Sequence, residues 1–322
     1  MSHISVDLVG PRLPEQSDPR ISVVIPAFRS EDCIEELTRR LRASLTAITE
    51  SFEIIFVEDA GGDRSWEIIQ AMAREDHRIK GIQFSRNFGQ HSALTAGIDH
   101  ARGHWIVTMD CDLQDSPEAI PALYEKAQEG FDIVLVRRIG REGEKADAFT
   151  SKWFYRIFDY LTDTKSDPAI GAFRIFSAGV RDSFVQMRER TRFFGGLMQW
   201  MGFETAYIDV PRPPRYAGKS SYDFRKRLAL ALPAIIAFSN KPLILVVTCG
   251  FIISFAAFLG GIFFAIRRLV YDIPVEGWTS VIVSLYFLGG IIIVTLGVVG
   301  IYVGRTFDEA KGRPLYIVRR IT

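Results

Sequence analysis

Cysteine is scarce, and the three present (Cys33, Cys111 and Cys249 in 322 residues) lie far apart with no metal-type spacing. That excludes a disulfide-stapled scaffold. Neither sign of charge dominates: 39 Lys and Arg face 38 Asp and Glu, for a net charge of +1. The balance argues against a protein built to coat nucleic acid, so no nucleic-acid partner is expected. The first residues lack the apolar core of a secretory leader, and no cleavable signal peptide is expected. No internal repeat is found. What is there is ordinary globular usage, 48% hydrophobic and 24% charged, which excludes a disordered chain. The length suits one large domain or two modest ones. Mean hydropathy is +0.11, high for a soluble protein.

The excess hydrophobicity sits towards the C-terminus. Pro242 to Ile266 contains no charge, and about 25 residues in a helix span roughly 37 Å, enough for the bilayer core with some tilt. Thr279 to Gly304 is a second uncharged run, with glycines at 289, 290, 297, 300 and 304. Two buried core helices are the alternative, but soluble helices this long carry charge on one face. Only Arg267 to Trp278 joins the runs, so they form a hairpin with both ends on one side. Arg225, Lys226, Arg227 and Lys241 precede it, and Arg305, Lys311, Arg313, Arg319 and Arg320 follow it. In the connecting loop Arg267 and Arg268 are offset by Asp272 and Glu276. The positive-inside rule then places both termini and the N-terminal domain in the cytoplasm, in a multi-pass protein of the inner (cytoplasmic) membrane.

Residues 20–215 read as an α/β domain. Ile21–Pro26, Glu53–Glu58, Ile79–Phe84, His104–Met109 and Asp132–Val136 are short strand-like runs, with helical stretches such as Ile34–Ile48 and Ser65–Arg74 between them. That alternation implies a mostly parallel sheet. Residues 1–19, with prolines at 11, 14 and 19, read as a flexible tail, and 305–322 as a cytoplasmic tail. The region 216–241 holds Phe224, Leu228, Leu232 and Ile235 at helical spacing beside Arg225–Arg227. It reads as a helix lying on the lipid surface, an ordinary amphipathic core helix being the alternative, and Pro233 should interrupt it. The glycine-rich spans and this helix could support self-association into a homo-oligomer.

In open parallel sheets ligands bind at the carboxyl ends of the strands. Asp110 and Asp112 follow the fourth strand. In an extended segment, residues two apart share a side, so Asp110, Asp112 and Gln114 would present three oxygen ligands while Cys111 and Leu113 turn inward. Oxygen-only ligands favour Mg²⁺ or Mn²⁺. A solvated acidic loop is the alternative. Asp59, at the end of the second strand, could accept hydrogen bonds from a base or ribose, or could instead be a turn or helix-capping residue.

Together SVVIPAF (22–28), FVEDAGGD (56–63), FSRNFGQHSALTAGID (84–99), MDCDLQDSPE (109–118), GAFRIF (171–176), PRYAGKSSY (214–222) and YVGRTFDEAKGRPLYIV (302–318) resemble family 2 glycosyltransferases of the GT-A, Rossmann-like fold. More closely, they resemble the polyprenyl-phosphate glycosyltransferases, the group of dolichyl-phosphate mannose synthases and bactoprenol glucosyltransferases. The resemblance implies inverting transfer of a hexose from a nucleotide-diphosphate sugar to a polyprenyl phosphate. The donor nucleotide would be UDP by analogy with bacterial relatives, with GDP the alternative. By the same resemblance, Pro26, Phe28, Glu31 and Asp59 would hold the nucleotide, and Asp110, Asp112 and Gln114 the metal. Arg137 and Arg138 would lie near the acceptor phosphate, and Arg215, Lys219 and Ser220 near the reacting phosphates.

The chemistry is consistent with those roles. A phosphate monoester is largely ionised near pH 7, so the acceptor needs a cationic clamp more than a general base, and arginine suits that task. The polar segment Arg137–Asp147 would suit a loop closing over substrate, or a plain surface loop. Two departures stand out: Ala172 where many bacterial relatives have Asp in a GDFR motif, and Glu58 where Asp is usual. Ala172 means that no base is needed, that the copy is weak or inactive, or that the position has been changed by engineering. An inactive membrane adaptor that binds nucleotide-sugar or a partner is therefore the rival reading. A processive polysaccharide synthase is disfavoured, because Gln199-Trp200 lacks the Q-x-x-R-W spacing and one hairpin cannot line a channel. A transporter is disfavoured too, since neither span carries an ionisable residue.

Overall fold

A computed structural model of the protein describes residues 18–139, 169–211, 239, 241–271 and 277–322. They form two compact units. One comprises the described residues up to 211 together with 314–322, and the other 239, 241–271 and 277–313.

In the first unit the chain runs β1 (Ile21–Ala27), α1 (Ile34–Thr46), β2 (Phe52–Glu58), α2 (Ser65–Glu75), β3 (Ile79–Phe84), α3 (Gln90–His100) and β4 (Trp105–Thr108). It continues through a short 3₁₀ turn into α4 (Ile120–Gln128), then β5 (Ile133–Ile139), β6 (Ile170–Ser177), α5 (Ala178–Gln186), α6 (Phe194–Trp200) and β7 (Thr205–Pro211). β8 (Val318–Ile321) returns near the end of the chain. β1 and β2 are buried along almost their whole length, as near-continuous apolar strands covered on both faces must be. α1 buries Ile34, Leu37, Leu41 and Leu45, one apolar stripe at helical spacing.

The eight strands form one sheet in the order β7-β5-β6-β4-β1-β2-β3-β8. β1–β2, β1–β4, β2–β3 and β5–β7 pair in parallel, while β6 runs antiparallel to β4 and β5, and β8 antiparallel to β3. This is the expected mostly parallel, Rossmann-like GT-A sheet. From β1 the chain winds outward through β2 and β3, then returns to β4 on the other side of β1. That reversal opens a crevice at the carboxyl ends of β1 and β4. α3 packs very closely beneath it: a Cβ on Gly97 would lie 2.2 Å from Val24 Cγ1, so only glycine fits.

Residues 305–322, expected as a tail, carry regular structure at both ends. Residues 305–310 continue a helix, and Val318–Ile321 adds a strand to the sheet, with Ile82 opposite Ile321 and Phe84 opposite Val318. Its sequence, VRRI, gives little apolar signal because it is an edge strand and its last three residues are exposed.

The second unit contains α7 (Lys241–Tyr271) and α8 (Trp278–Ala310). Both are long and apolar enough to cross a membrane, and the apolar stretches Leu243–Gly260 and Ser280–Ala310 are not buried inside the structure. The helices extend beyond the uncharged runs 242–266 and 279–304. Tyr302 donates its hydroxyl to the Ser239 carbonyl at 2.9 Å. The expected surface-helix region 216–241 lies outside the described residues except for Ser239 and Lys241, and Lys241 is the first residue of α7.

Candidate active site

The loops after β1 and β2 are knitted together. Arg29 and Ala60 both have φ of 53°, and a Cβ on Gly61 would lie 2.7 Å from the Arg29 backbone nitrogen. The Glu31 carboxylate accepts the Arg64 N–H at 2.9 Å, and the Glu31 N–H donates to Asp63 at 3.2 Å. Glu31 therefore splices the β1 loop to the start of α2. Pro26 is part-buried within β1, whereas Phe28 is 46% exposed, with the Arg29 guanidinium 5.3 Å from its ring centre.

Asp59 is almost completely buried. Its two oxygens accept the N–H groups of Phe88 at 2.6 Å and Gly89 at 2.8 Å, immediately before α3. Burial raises its pKa, and those two donors work against the rise. These partners lie about 30 residues away, where no local pattern would reveal them. Glu58 accepts the Gly61 N–H at 2.6 Å, and its buried Oε2 has no hydrogen-bond partner.

The Asp110 region departs from the expected extended geometry. β4 stops at Thr108, and Leu113 has φ of 59°, so the segment turns. The exposed Asp112 accepts the Gln114 N–H at 3.1 Å, the short-range bond that makes such a turn. Cys111 and Leu113 do pack into the core, as expected, and burial pushes the Cys111 thiol up to about 12, leaving it no nucleophile. Asp110 accepts Gln90 Nε2 at 2.6 Å. Burial, then Asp115 and Asp112, raise its pKa to about 6.

Arg137 and Arg138 part company. Successive residues of a strand face opposite sides of the sheet. Arg138 reaches the buried Asp115 at 2.6 Å, against a gap left by Gly171. Arg137 pairs with Asp209 on β7 at 2.6 and 3.0 Å. The Asp115 carboxylate also accepts the Asp110 N–H at 3.3 Å, so Arg138 joins the Asp110 turn. Arg215, Lys219, Ser220 and residues 140–147 lie outside the described residues.

Two residues tied to this region escaped the sequence reading although both lie in its motifs: Gln90 and Arg174. Arg174 is 5% exposed and donates to the carbonyls of Gly171 at 2.7 Å and Ala172 at 3.4 Å. Burial lowers its pKa to about 10, and Asp110 offsets part of that. Its guanidinium lies 4.7 Å from the Phe194 ring centre. The Ala172 carbonyl also accepts Thr108 Oγ1 at 2.6 Å.

Among the described residues no three His, Cys, Asp or Glu side chains form a ready cation cage. The donor set nevertheless fits a hard cation that completes its shell with water or substrate oxygen. Asp110, Asp112 and Gln114 are oxygen donors of the kind such a cation takes, and burial is the largest reason the Asp110 pKa is raised, with the neighbouring Asp115 and Asp112 carboxylates adding to it.

Residues 22–207 match the model of the family described as glycosyl transferase family 2. The chain is 39% identical over 300 residues to the uncharacterized glycosyltransferase YkcC of Bacillus subtilis, covering 93% of each protein. It is 36% identical over 303 residues to a prophage bactoprenol glucosyl transferase homolog of Escherichia coli K12, covering 94% of this chain and 99% of that one. Among solved structures, a mannosyltransferase from Pyrobaculum calidifontis in complex with GDP-Man and Mn²⁺ aligns with a TM-score of 0.49 and 15% identity, over 68% of this chain and 64% of that one. The family model spans more than half of the chain and relatives of this similarity run nearly its full length, so the chain belongs to glycosyl transferase family 2 and is a glycosyltransferase.

Proposed function

We propose that the protein moves a hexose from a nucleotide-diphosphate sugar, a UDP-sugar before a GDP-sugar, onto a polyprenyl phosphate of the undecaprenyl type, with inversion, at the cytoplasmic face of the inner membrane. The observation that carries this reading is the placement of Asp59 and the Asp110 turn at the carboxyl ends of β2 and β4, around the crevice beside β1. Relatives named bactoprenol glucosyl transferases, matched over 94% of this chain, support the acceptor class. The two apolar helices support a site that works on a lipid.

In this reading the loops of 26–31 and 58–63 receive the nucleotide. An acceptor phosphate oxygen forms a bond to the anomeric carbon from the face opposite the nucleotide diphosphate, whose bond to that carbon breaks. A divalent cation, Mg²⁺ or Mn²⁺, held by Asp110, Asp112 and Gln114 would neutralise charge on the departing diphosphate. Arg138, anchored on Asp115, and the buried Arg174 supply fixed positive charge beside the turn. Arg215, Lys219 and Ser220 are assigned to the reacting phosphates, and Arg137 to acceptor approach. The acceptor arrives ionised, so Ala172 is compatible with turnover. The domain occupies 20–215 with 314–322 added, followed by a surface segment and a transmembrane hairpin.

The test is product formation. Purified protein with undecaprenyl phosphate, Mn²⁺ and a panel of UDP- and GDP-sugars should yield a glycosylated lipid phosphate of opposite anomeric configuration to the donor. Nucleotide binding without product from any donor would favour the adaptor reading prompted by Ala172. Restoring activity with Ala172→Asp would then identify a disabled enzyme.

A further inference from the structure

The segment that follows the second apolar helix does more than close the sheet. Ser85 N–H donates to the Ile317 carbonyl at 3.0 Å, and Thr322 N–H to the Gly81 carbonyl at 3.0 Å. Between α8 and β8 lies Tyr316. Its hydroxyl donates to Asp99 Oδ2 at 2.7 Å, near the C-terminal end of α3. Arg188 meets the same oxygen at 2.8 Å, and the other Asp99 oxygen is buried without a partner. Its ring stacks on Phe84, 5.3 Å between centres and 15° between planes. Phe84 in turn meets Phe88 edge-on at 5.5 Å.

The two Tyr316 contacts, to Phe84 and to Asp99, lead on to Asp59 and Asp110. Phe88 donates its N–H to Asp59. α3, whose far end carries Asp99, begins at Gln90, which donates to Asp110. Between those ends the helix is pressed on β1 at Gly97. A close-packed helix transmits a shift at one end to the other, because protein interiors have little slack to absorb it.

We propose that Tyr316 is a positioning residue for the active site, holding the Asp59 clamp through Phe84 and Phe88, and the Gln90–Asp110 contact through Asp99 and α3. The chain returning from the apolar helices thereby completes the site formed by the loops near its beginning. The functional meaning rests on the reading that Asp59 and the Asp110 turn receive the donor. The positioning itself is measurable without any donor.

Hydrogen exchange on the full-length protein in detergent tests it, comparing wild type with Tyr316→Phe and Tyr316→Leu. The Phe variant keeps the ring stack and loses the hydroxyl, whereas the Leu variant loses both. The Phe88 and Gly89 amides should exchange about tenfold faster in the Leu variant, the effect of one lost hydrogen bond to a charged group. In the Phe variant they should stay close to wild type, while amides of the first turn of α3 exchange faster. With UDP-glucose, undecaprenyl phosphate and Mn²⁺ as probes, both variants should raise the KM for UDP-glucose and leave that for the lipid unchanged. Wild-type exchange at residues 88 and 89 in the Leu variant would overturn the proposal. So would an equal loss of protection in β1, which would mark a general stabilising role. Failure of wild type to turn over any sugar donor would strike the transferase reading alone.

Discussion

Replacing Asp110 with Asn removes a carboxylate that the fold holds at a cost. Burial, then the charges of Asp115 and Asp112, lift its pKa from 3.8 to about 6, even with Arg138 nearby and the Gln90 amide bonded to it. A difference of that size is worth about 3 kcal/mol between the charged and neutral forms. An Asn side chain keeps an oxygen to accept the Gln90 N–H while losing the charge. Without metal, Asp110→Asn should therefore be more stable than wild type near pH 7.5, by up to about 3 kcal/mol. The folded group binds its proton up to about pH 6 and the unfolded group only up to about 3.8. Between those values the folded chain carries more protons, so this group's contribution to stability falls as pH rises through the window. Thermal denaturation in EDTA, at pH steps from 4 to 8, would show a steeper decline in wild type than in the variant, which keeps the raised Asp59 and Asp115 but loses the Asp110 contribution. Added Mn²⁺ should raise the wild-type melting temperature and leave the variant nearly unmoved. A variant less stable than wild type in EDTA, or one with the same pH slope, would refute the reasoning.

The remaining predictions concern the site and its support. Asp112→Asn should abolish turnover by weakening metal binding, and a near-normal rate would remove Asp112 from the metal site. Arg138→Ala should cost about 3 kcal/mol of stability because it strands the buried Asp115, whereas Arg137→Ala should cost little, both ends of its pair being in solvent. Denaturant melts showing the reverse order would contradict this. Gly97→Ala should destabilise the domain by about 1–3 kcal/mol, since its methyl would sit 2.2 Å from Val24, and an unchanged melt would contradict the close packing of α3 on β1.

The buried strands were legible because both of their faces are covered: an apolar run such as ISVVIPA reads as a strand without its neighbours, and β1 to β5 fall within a few residues of the expected bounds. What stayed hidden depends on partners distant in sequence. Asp59 is tied to Phe88 and Gly89, and Arg138 to Asp115, through tertiary contacts. The turn at Leu113 was hidden for a different reason: a D-x-D motif fits a strand and a turn equally well. The separation of Arg137 from Arg138 could have been read from strand periodicity, had β5 been extended past Val136. β8 is too short and too charged to announce itself, and it emerges only as the partner of β3.

The central claim is tested most directly by release of nucleotide diphosphate from the purified protein, with a sugar-donor panel, with and without undecaprenyl phosphate, and with Mg²⁺ or Mn²⁺ against EDTA. The account predicts rapid release from one donor only when both the lipid phosphate and the metal are present. Release that ignores the lipid or survives EDTA, or no release from any donor, would contradict it.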